Sequence, residues 1–479
     1  MERLSALDTE FLYLEDGTVH MHIAGACLFD DPPPPLADVE ALIASKLHLI
    51  PRYRQRIRSV PFELGRPVWV DDPDFDLGYH LRHTALPSPG GDDLFCHMMG
   101  RLMSQPLDRE RPLWETWLVE GLEGGRWALV FKIHHCMVDG IAGVELLTVL
   151  LDVSTEIGVA EPKPWSPRPE PPGPAKVVDA WGGLVANTFS AVRGIPGSVV
   201  HPGATIRSAL ATAEGAGRFL RHLSPTGPLS IEGSIGPHRS WAHSSARLAD
   251  VKSIRSAFGG TINDVVLAAV SGGYRSLLTE HGDDPDLAVV RSLVPVSTRH
   301  DNGHGIPDNR VSALLYELPV QVADPVERLR LVQAQMKALK SSHIAEAGEV
   351  VTTIGNLAPP MVVGPASRLL VRSMHRFGQQ SLNTVTTNVP GPQFPLYCLG
   401  HEMREYRPFV PISHGVRVGT AILSYNGMLF FGVTGDYATM PDIGVLAAGA
   451  ASGIVELRDR AAAGPGAATP RAGRRSGSA

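Results

Sequence analysis

Two adjacent histidines followed by an aspartate are the residues best suited to chemistry in this chain. His134 and His135 follow the apolar run ALVFKI, and Asp139 comes four residues after His135. An unperturbed imidazole has a pKa of about 6.5, so a histidine can remove a hydroxyl proton near neutral pH. Asp139 stands beside Gly140 and can hold the loop by pairing with an arginine elsewhere. The pattern indicates general-base chemistry on a hydroxyl group.

Other interpretations of this segment remain open. A histidine taken alone is more often structural than catalytic. A metal site would need His135 and Asp139 one turn apart on a helix, but the helical pattern starts only after Asp139. Cys136 is a potential nucleophile, although on an extended segment its side chain should point away from His135. A small buried apolar cysteine is the commoner role.

The elements around the histidines predict how they are presented. Apolar residues recur with helical spacing after the histidines, at Ile141, Val144, Leu147, Leu150 and Leu151. The motif therefore lies on a strand-to-helix connection, where catalytic residues are often found. Adjacent side chains on an extended segment point to opposite faces, so one histidine can face a cleft while the other packs behind it.

Hydrophobic patterning predicts a mixed α/β fold in both halves of the chain. Helical spacing occurs in three segments and strand patterns in three others, and Asn426-Gly427 between apolar runs predicts a tight hairpin. The predicted helices are VEALIASKLHLI, DDLFCHMMGRLM and DVVLAAVSGGYRSLL, and the strand segments are TWLVEGLEGGRWALVFKI, AVVRSLVPVS and AILSYNGMLFFGV.

Composition narrows the class of protein. The chain has 479 residues and a net charge of −6, which argues against a general nucleic-acid binder. Its four cysteines form no CxxC pair, so a disulfide scaffold or zinc ribbon is not expected. The acidic N-terminus lacks a signal-peptide core, and no apolar run is long enough to span a bilayer. The proline-rich stretch 161–174 predicts an extended linker.

Several motifs in matching order carry a family resemblance. HHCMVDG matches the HHxxxDG motif of chloramphenicol-acetyltransferase-like acyltransferases. The chain from about Leu4 to about Leu457 also resembles the bacterial wax ester synthase/diacylglycerol acyltransferase family, and mycobacterial triacylglycerol synthases in particular. The further motifs are LSALDTEFLYLED, HMHIAG, PLW at Pro112 to Trp114, NDVVLA, LVPVSTR and TNVPGP. In the last of these the family usually has Ser at the position of Thr387.

The resemblance implies a domain organisation. Two chloramphenicol-acetyltransferase-like domains would face each other across the active site. We expect the first at 1–158, a linker with connecting helices at 159–235, the second at 236–460 and a disordered tail at 461–479.

The resemblance also implies a reaction. Long-chain acyl-CoA would be the co-substrate, with no bound cofactor and no metal, and diacylglycerol or a fatty alcohol would be the acceptor. His135 would take the hydroxyl proton and the alkoxide would attack the thioester directly, without an acyl-enzyme. His134 would support the loop, and Asp139 would lock it.

Residues of the second half complete the candidate site. Asn263 can contact the active site or simply cap its helix. Thr387 and Asn388 can donate hydrogen bonds to the developing oxyanion, or belong to a strand-ending turn. Arg299 is a candidate partner of Asp139, in competition with Arg52, Arg54, Arg56 and Arg310. Trp114 is expected to be a packing residue.

Two other functions and a location complete the expectations. The alternatives are a related HHxxxDG acyltransferase with another acceptor, such as a glycolipid or an amine, and a non-catalytic lipid-binding homologue. The expected location is the cytoplasm, peripherally at the inner membrane or at lipid droplets. Weakly amphipathic segments at 177–192 and 204–223 would provide the contact, or would only connect the domains.

Overall fold

Two six-stranded sheets, each covered by helices, form the framework of the protein in a computed structural model. The structure describes residues 2–138, 146–179, 227–297, 311–341 and 382–463. The strands are β1 (His22–Phe29), β2 (Gln55–Arg58), β3 (Val68–Asp71), β4 (Leu81–Ala85), β5 (Trp114–Leu122), β6 (Arg126–His134), β7 (Glu232–Gly233), β8 (Arg239–Arg247), β9 (Val290–Ser297), β10 (Val311–Leu318), β11 (Thr384–Pro390), β12 (Tyr397–Cys398), β13 (His401–Phe409), β14 (Gly415–Val416), β15 (Val418–Tyr425) and β16 (Met428–Asp436).

Helices lie between these strands, so the mixed α/β prediction is confirmed. They are α1 (Ala6–Leu14), α2 (Leu36–Lys46), α3 (Leu77–His80), α4 (Asp92–Met103), α5 (Leu248–Phe258), α6 (Ile262–Glu280), α7 (Pro325–Ser341) and α8 (Gly444–Ala463). Residues 146–150 and 173–179 are also helical. No helix in the described ranges is both long enough and apolar enough to cross a membrane.

The first sheet contains a strand from late in the sequence. Its order is β12-β13-β1-β6-β5-β4, and β13 pairs antiparallel with β1, with Phe409 opposite Ala24. β1 in turn pairs with β6, which places His22 directly opposite His134. The domain boundaries given above stay a prediction, but residues 401–409, numbered within the second domain, complete the sheet of the first.

The second sheet has the order β10-β9-β11-β15-β16-β8, and β11 runs parallel to both of its neighbours. β15 and β16 form the predicted hairpin. Asn426 and Gly427 both have positive φ (42° and 81°), as a type I′ turn requires.

The alternation of side chains along β6 determines which of them lie on the same face of the sheet as His134. Trp127, Leu129 and Phe131 pack on one face of the sheet with α2, while Ala128 and Val130 face the other side with α4. Because side chains alternate along a strand, Lys132 and His134 share the α4 face. Lys132 bears this out, since its Nζ donates to the carbonyls of Leu102 (3.1 Å) and Gln105 (2.6 Å) at the end of α4.

The connecting region is only partly described. Residues 156–172 contain no helix or strand, as the proline density predicted, and a helix follows at 173–179. The remainder of the segment predicted at 177–192, the whole of 204–223 and the tail from 464 lie outside the described residues.

The close packing of α6 against α8 requires a glycine, Gly273, at the contact. A Cβ atom added at Gly273 would lie 2.6 Å from the carbonyl oxygen of Leu446 and 3.0 Å from the backbone nitrogen of Ala450. Backbone atoms cannot yield as a flexible side chain can, so the two helices would have to separate.

We therefore expect Gly273→Ala to lower the free energy of unfolding by about 1–3 kcal/mol, the usual range for overpacking a core. Gly444→Ala on α8 is the matched control, because a Cβ there meets no atom within 4 Å. Chemical denaturation of both variants measures the difference. Equal stability of the two variants would contradict this account of the helix contact.

Candidate active site

The two histidines lie on different local structures. β6 ends at His134, and His135–Met137 form one turn of 3-10 helix. The prediction that both histidines lie on an extended segment is therefore wrong for His135. The reason is a cap, because Nδ1 of His134 accepts a hydrogen bond from the backbone N–H of Cys136 at 3.1 Å. His134 is 1% exposed, whereas His135 is half-buried.

The cap fixes the protonation of His134. A ring nitrogen that accepts a hydrogen bond carries no proton, so the proton of the neutral ring lies on Nε2. This Nε2 lies 3.2 Å from Oε1 of Glu15, which follows the last residue of α1. Nδ1 of His134 is thus committed to the turn, and Nε2 lies against a carboxylate.

Glu15 is the centre of a buried charged cluster. Its Oε1 accepts a hydrogen bond from the backbone N–H of Met21 (2.8 Å), and its Oε2 accepts one from Nη2 of Arg109 (2.7 Å). Burial alone would raise the pKa of Glu15, but the nearby imidazoles of His134 and His22 and the hydrogen bond from Arg109 lower it well below its usual range. Glu15 is therefore a carboxylate at neutral pH.

Two more groups on the same face of the sheet are buried beside this carboxylate. Nε2 of His22 lies 3.4 Å from Oε1 of Glu15, and burial, together with the charge of Lys132, lowers the pKa of His22 well below its ordinary value. His22 is therefore neutral. Burial also lowers the pKa of Lys132 to about 8. The negative charge of Glu15 thus faces one buried cation and two imidazoles.

His135 is held by its backbone and by one face of its ring. Its N–H donates to the carbonyl of Met21 at 2.8 Å. The ring of Phe11, on α1, stacks on the imidazole with centroids 4.1 Å apart and planes 29° apart. Phe11 packs in turn against a cluster drawn from both halves of the chain, formed by Val19, Met21, Ile235, Ile412 and Val416. The catalytic candidate therefore lies where the two halves meet.

The nucleophile alternative finds no support in the geometry. Cys136 is 4% exposed and packs in an apolar cluster with Leu4, Leu12 and Leu113. Burial raises the pKa of the Cys136 thiol well above its ordinary value, so the reactive thiolate is not available near neutral pH. In the described ranges, no group of three or more His, Cys, Asp or Glu side chains is arranged to hold a metal ion.

The structure brings two of the second-half candidates together. Nδ2 of Asn388, on β11, donates to Oδ1 of Asn263, on α6, at 2.9 Å. Asn263 is not the helix cap, so that interpretation is wrong. Thr261 caps α6, and its side chain and that of Asp264 complete a reciprocal capping box. Asn263 is left on the first turn, where its side chain pairs with Asn388.

Thr387 lies on the other face of the second sheet. In β11 the even-numbered Thr384 and Thr386 are buried towards α6, where Thr384 bonds the hydroxyl of Tyr274. Val385 is in register with Gly419, where an added Cβ atom would meet the side chains of Val410 and Ile412. Because side chains alternate, Thr387 points to the same side as Ile412, the side of the cluster that supports Phe11. The side chains of Thr387 and Asn388 therefore lie on opposite faces of β11.

Trp114 has the packing role that its size predicted. It is fully buried between the rings of Tyr53 and His80, at centroid distances of 4.2 and 4.5 Å. Its Nε1 donates to the carbonyl of Tyr53 at 2.9 Å.

The candidate partners of Asp139 lie partly inside and partly outside the described residues. Asp139, Arg299 and Arg310 lie outside the described residues. Two of the competing arginines have other partners, since Arg52 pairs with Glu2 and Arg56 lies 3.3 Å from Asp72. The guanidinium of Arg54 stacks on the ring of Trp165.

Sequence reasoning missed Glu15, Phe11 and His22 as site residues, although all three lie in the quoted motifs. One signal applies to Glu15. No helix was predicted over residues 6–14, but once that helix is known, an acidic residue directly after it opposes the helix dipole and calls for another partner. Phe11 precedes Glu15 by four residues and lies on the helix that Glu15 terminates.

Comparison with protein families gives two matches. Residues 4–266 match the wax ester synthase/diacylglycerol acyltransferase catalytic domain, and residues 308–458 match the C-terminal domain of the same family. A protein of Mycobacterium tuberculosis named as a diacylglycerol O-acyltransferase is 37% identical over 95% of this chain and 96% of its own length. A second protein of that organism with the same activity in its name is 31% identical over 95% of this chain and 90% of its own.

Solved structures resemble the fold. The wax ester synthase/diacylglycerol acyltransferase from Marinobacter aquaeolei VT8 matches with a TM-score of 0.65 and 26% identity, over 96% of this chain and all of that chain. A trichothecene 15-O-acetyltransferase from Fusarium sporotrichioides matches with a TM-score of 0.57 and 12% identity, over 95% and 94% of the two chains. The second likeness concerns the fold alone.

The charge on Glu15 yields a testable prediction. Glu15→Gln keeps the size of the side chain but removes the charge that His134 and Arg109 share, and hydrogen bonds to charged groups are worth about 1.5–3 kcal/mol. We expect the free energy of unfolding at pH 7 to fall by about that amount, as measured by chemical denaturation. Glu40→Gln, at an exposed position on α2, is the control and should change little.

The pH dependence sharpens this test. The pKa of Glu15 is lowered in the folded state, so its stabilisation is fully present above the ordinary value of 4.5 and is lost as the pH falls below it. The stability gap between wild type and Glu15→Gln should therefore narrow at pH 4 or below. A gap that stays constant from pH 7 to pH 3.5 would show that the charge contributes nothing.

Proposed function

Because this chain belongs to the wax ester synthase/diacylglycerol acyltransferase family, we propose that it transfers a long-chain acyl group from acyl-CoA to the free hydroxyl of diacylglycerol. The predicted family, acyltransferase class and acyltransferase-like fold are confirmed. The choice of acceptor rests on the relatives named above, of which the nearer is 37% identical over almost the whole chain. Triacylglycerol would be the product.

The commitment of His134 is the observation that carries the assignment of the general base. With Nδ1 bound to the turn and Nε2 facing Glu15, His134 cannot take a proton from a substrate without breaking its own support. His135 is half-buried and adjoins the second half of the chain through Phe11. We therefore assign the base to His135 and a supporting role to His134.

The reaction then balances without a bound cofactor, a metal or an acyl-enzyme. His135 takes the hydroxyl proton as the acceptor oxygen bonds to the thioester carbonyl carbon. The carbon–sulfur bond breaks, and the thiolate of coenzyme A receives the proton back from the imidazolium. Because the acceptor attacks directly, no protein nucleophile is required, in accord with the buried, protonated Cys136.

Negative charge also develops on the carbonyl oxygen of the thioester, and hydrogen-bond donors are needed to stabilise it. Thr387 is the side chain we favour, because it lies on the same face of β11 as the cluster beside Phe11. Asn388 and Asn263 satisfy one another on the α6 side, and we assign them a supporting role in holding the end of β11.

A second acceptor class, the fatty alcohols, follows from the other activity in the family's description. Wax esters would then be formed by the same proton transfer, since either acceptor supplies a hydroxyl group. Acceptors such as glycolipids or amines are the further alternative. A non-catalytic lipid-binding role is disfavoured by the intact histidine pair and its elaborate support.

Removing the base should abolish most of the transfer. We expect His135→Ala to lower turnover by about 100- to 10,000-fold. The assay uses purified protein, labelled palmitoyl-CoA and a panel of acceptors comprising diacylglycerol, hexadecanol, a glycolipid and an amine, with separation of the lipid products. His97→Ala, at an exposed position on α4, is the matched control. Near wild-type turnover in folded His135→Ala protein would overturn the assignment, and absence of any ester from the wild-type protein would overturn the proposed reaction.

We also propose peripheral attachment to a membrane or lipid droplet in the cytoplasm, because acceptor and product are insoluble in water. Support comes from exposed apolar side chains at the start of the connecting region, such as Val178, which is 72% exposed. Cell fractionation should recover part of the protein with lipid particles and release it with salt or mild detergent. Recovery wholly in the soluble fraction, even in lipid-rich cells, would contradict the proposal.

A further inference from the structure

We propose that Phe11 is a positioning residue for His135 in the transfer reaction. The inference rests on the proposed role of His135 as the base. It starts from the stacked contact of the two rings, whose centroids are 4.1 Å apart with planes inclined by 29°. An aromatic ring at this distance covers one face of the imidazole and limits its rotation.

The ring of Phe11 is itself held from two directions. α1 is capped at its start, where the side chain of Ser5 accepts a hydrogen bond from the N–H of Asp8 at 3.0 Å. The phenyl ring packs against the cluster that contains Met21 and Ile412. Met21 also accepts the hydrogen bond from the backbone of His135. Phe11 and the backbone contact therefore seat His135 against the same cluster.

The same helix controls both histidines. Phe11 lies on α1 and Glu15 is the C-cap residue of the same helix, so α1 and its cap contact His135 through Phe11 and His134 through Glu15. A shift of α1 would move the supporting and the catalytic imidazole together. This coupling distinguishes Phe11 from an ordinary apolar packing residue.

The stacked ring also favours the reacting state. When His135 takes the hydroxyl proton, positive charge develops on the imidazole above the π face of Phe11. A cation over an aromatic face is stabilised, more strongly where water is excluded. The contact is thus stronger in the transition state than in the resting enzyme, so its loss should lower kcat more than it raises KM.

The test compares variants with and without an aromatic ring. Phe11→Leu keeps an apolar side chain but removes the π face, and we expect kcat to fall by roughly 3- to 30-fold. KM for acyl-CoA and for the acceptor should stay within about twofold. Phe11→Tyr retains the ring and should keep most of the activity. Phe62→Leu is the matched control, because the Phe62 ring is 88% exposed.

The outcomes separate this inference from the proposed function. Wild-type kcat in Phe11→Leu, alongside an inactive His135→Ala, would overturn the role of Phe11 and leave the base assignment intact. An equal loss in Phe11→Leu and Phe11→Tyr would also overturn it, since the ring would then not matter. An active His135→Ala would instead refute the base assignment. If Phe11→Leu does not fold, Phe11→Met, which also fills the cluster without a ring, is measured in its place.

Discussion

A carboxylate that should be unfavourable in its position organises the site. Glu15 stands at the C-terminal end of α1, where the helix dipole opposes a negative charge, and its side chain is 10% exposed. The cost is offset by the N–H of Met21, by Arg109 and by the two imidazoles that face Oε1. These partners come from separate parts of the chain, so satisfying one buried charge ties α1, the start of β1 and the end of β6 together.

The second constraint is that neither half of the chain completes its own structure. β13 lies in the sheet of the first half, and the cluster beneath Phe11 contains Ile235, Ile412 and Val416 from the second. The two sheets are also joined by a hydrogen bond, because Nε1 of Trp241, on β8 of the second sheet, donates to the carbonyl of Pro408, on β13, at 3.1 Å. The histidine turn therefore belongs to the first half of the chain but packs, through Phe11, against residues of the second half.

Local patterns predicted local structure well. The segment DDLFCHMMGRLM coincides with α4, and Asn426-Gly427 forms the predicted turn. Local patterns could not predict the pairing of β13 with β1, because it joins residues about 380 positions apart and leaves no periodic signal in the nearby sequence. The start of α6 shows why a local pattern can also predict the wrong residue. Thr261 and Asn263 are both residue types that cap helices well. Thr261 is the N-cap, because Asp264 completes a capping box with it.

The sequence predicted only part of the candidate site, because the remaining contacts join residues that are distant along the chain. The histidine pair is visible in the sequence, but the division of labour between its members depends on which nitrogen meets which partner. Nδ1 of His134 accepts a hydrogen bond from the backbone on one side, and Nε2 faces a carboxylate on the other. The turn that His134 caps ends the strand at that point and carries His135 out of the sheet. A single histidine could not do both, because a nitrogen that anchors the loop cannot also exchange protons with a substrate. If His135 is the base, as proposed, two adjacent imidazoles separate the anchor from the base, and the buried carboxylate holds the anchor in its place.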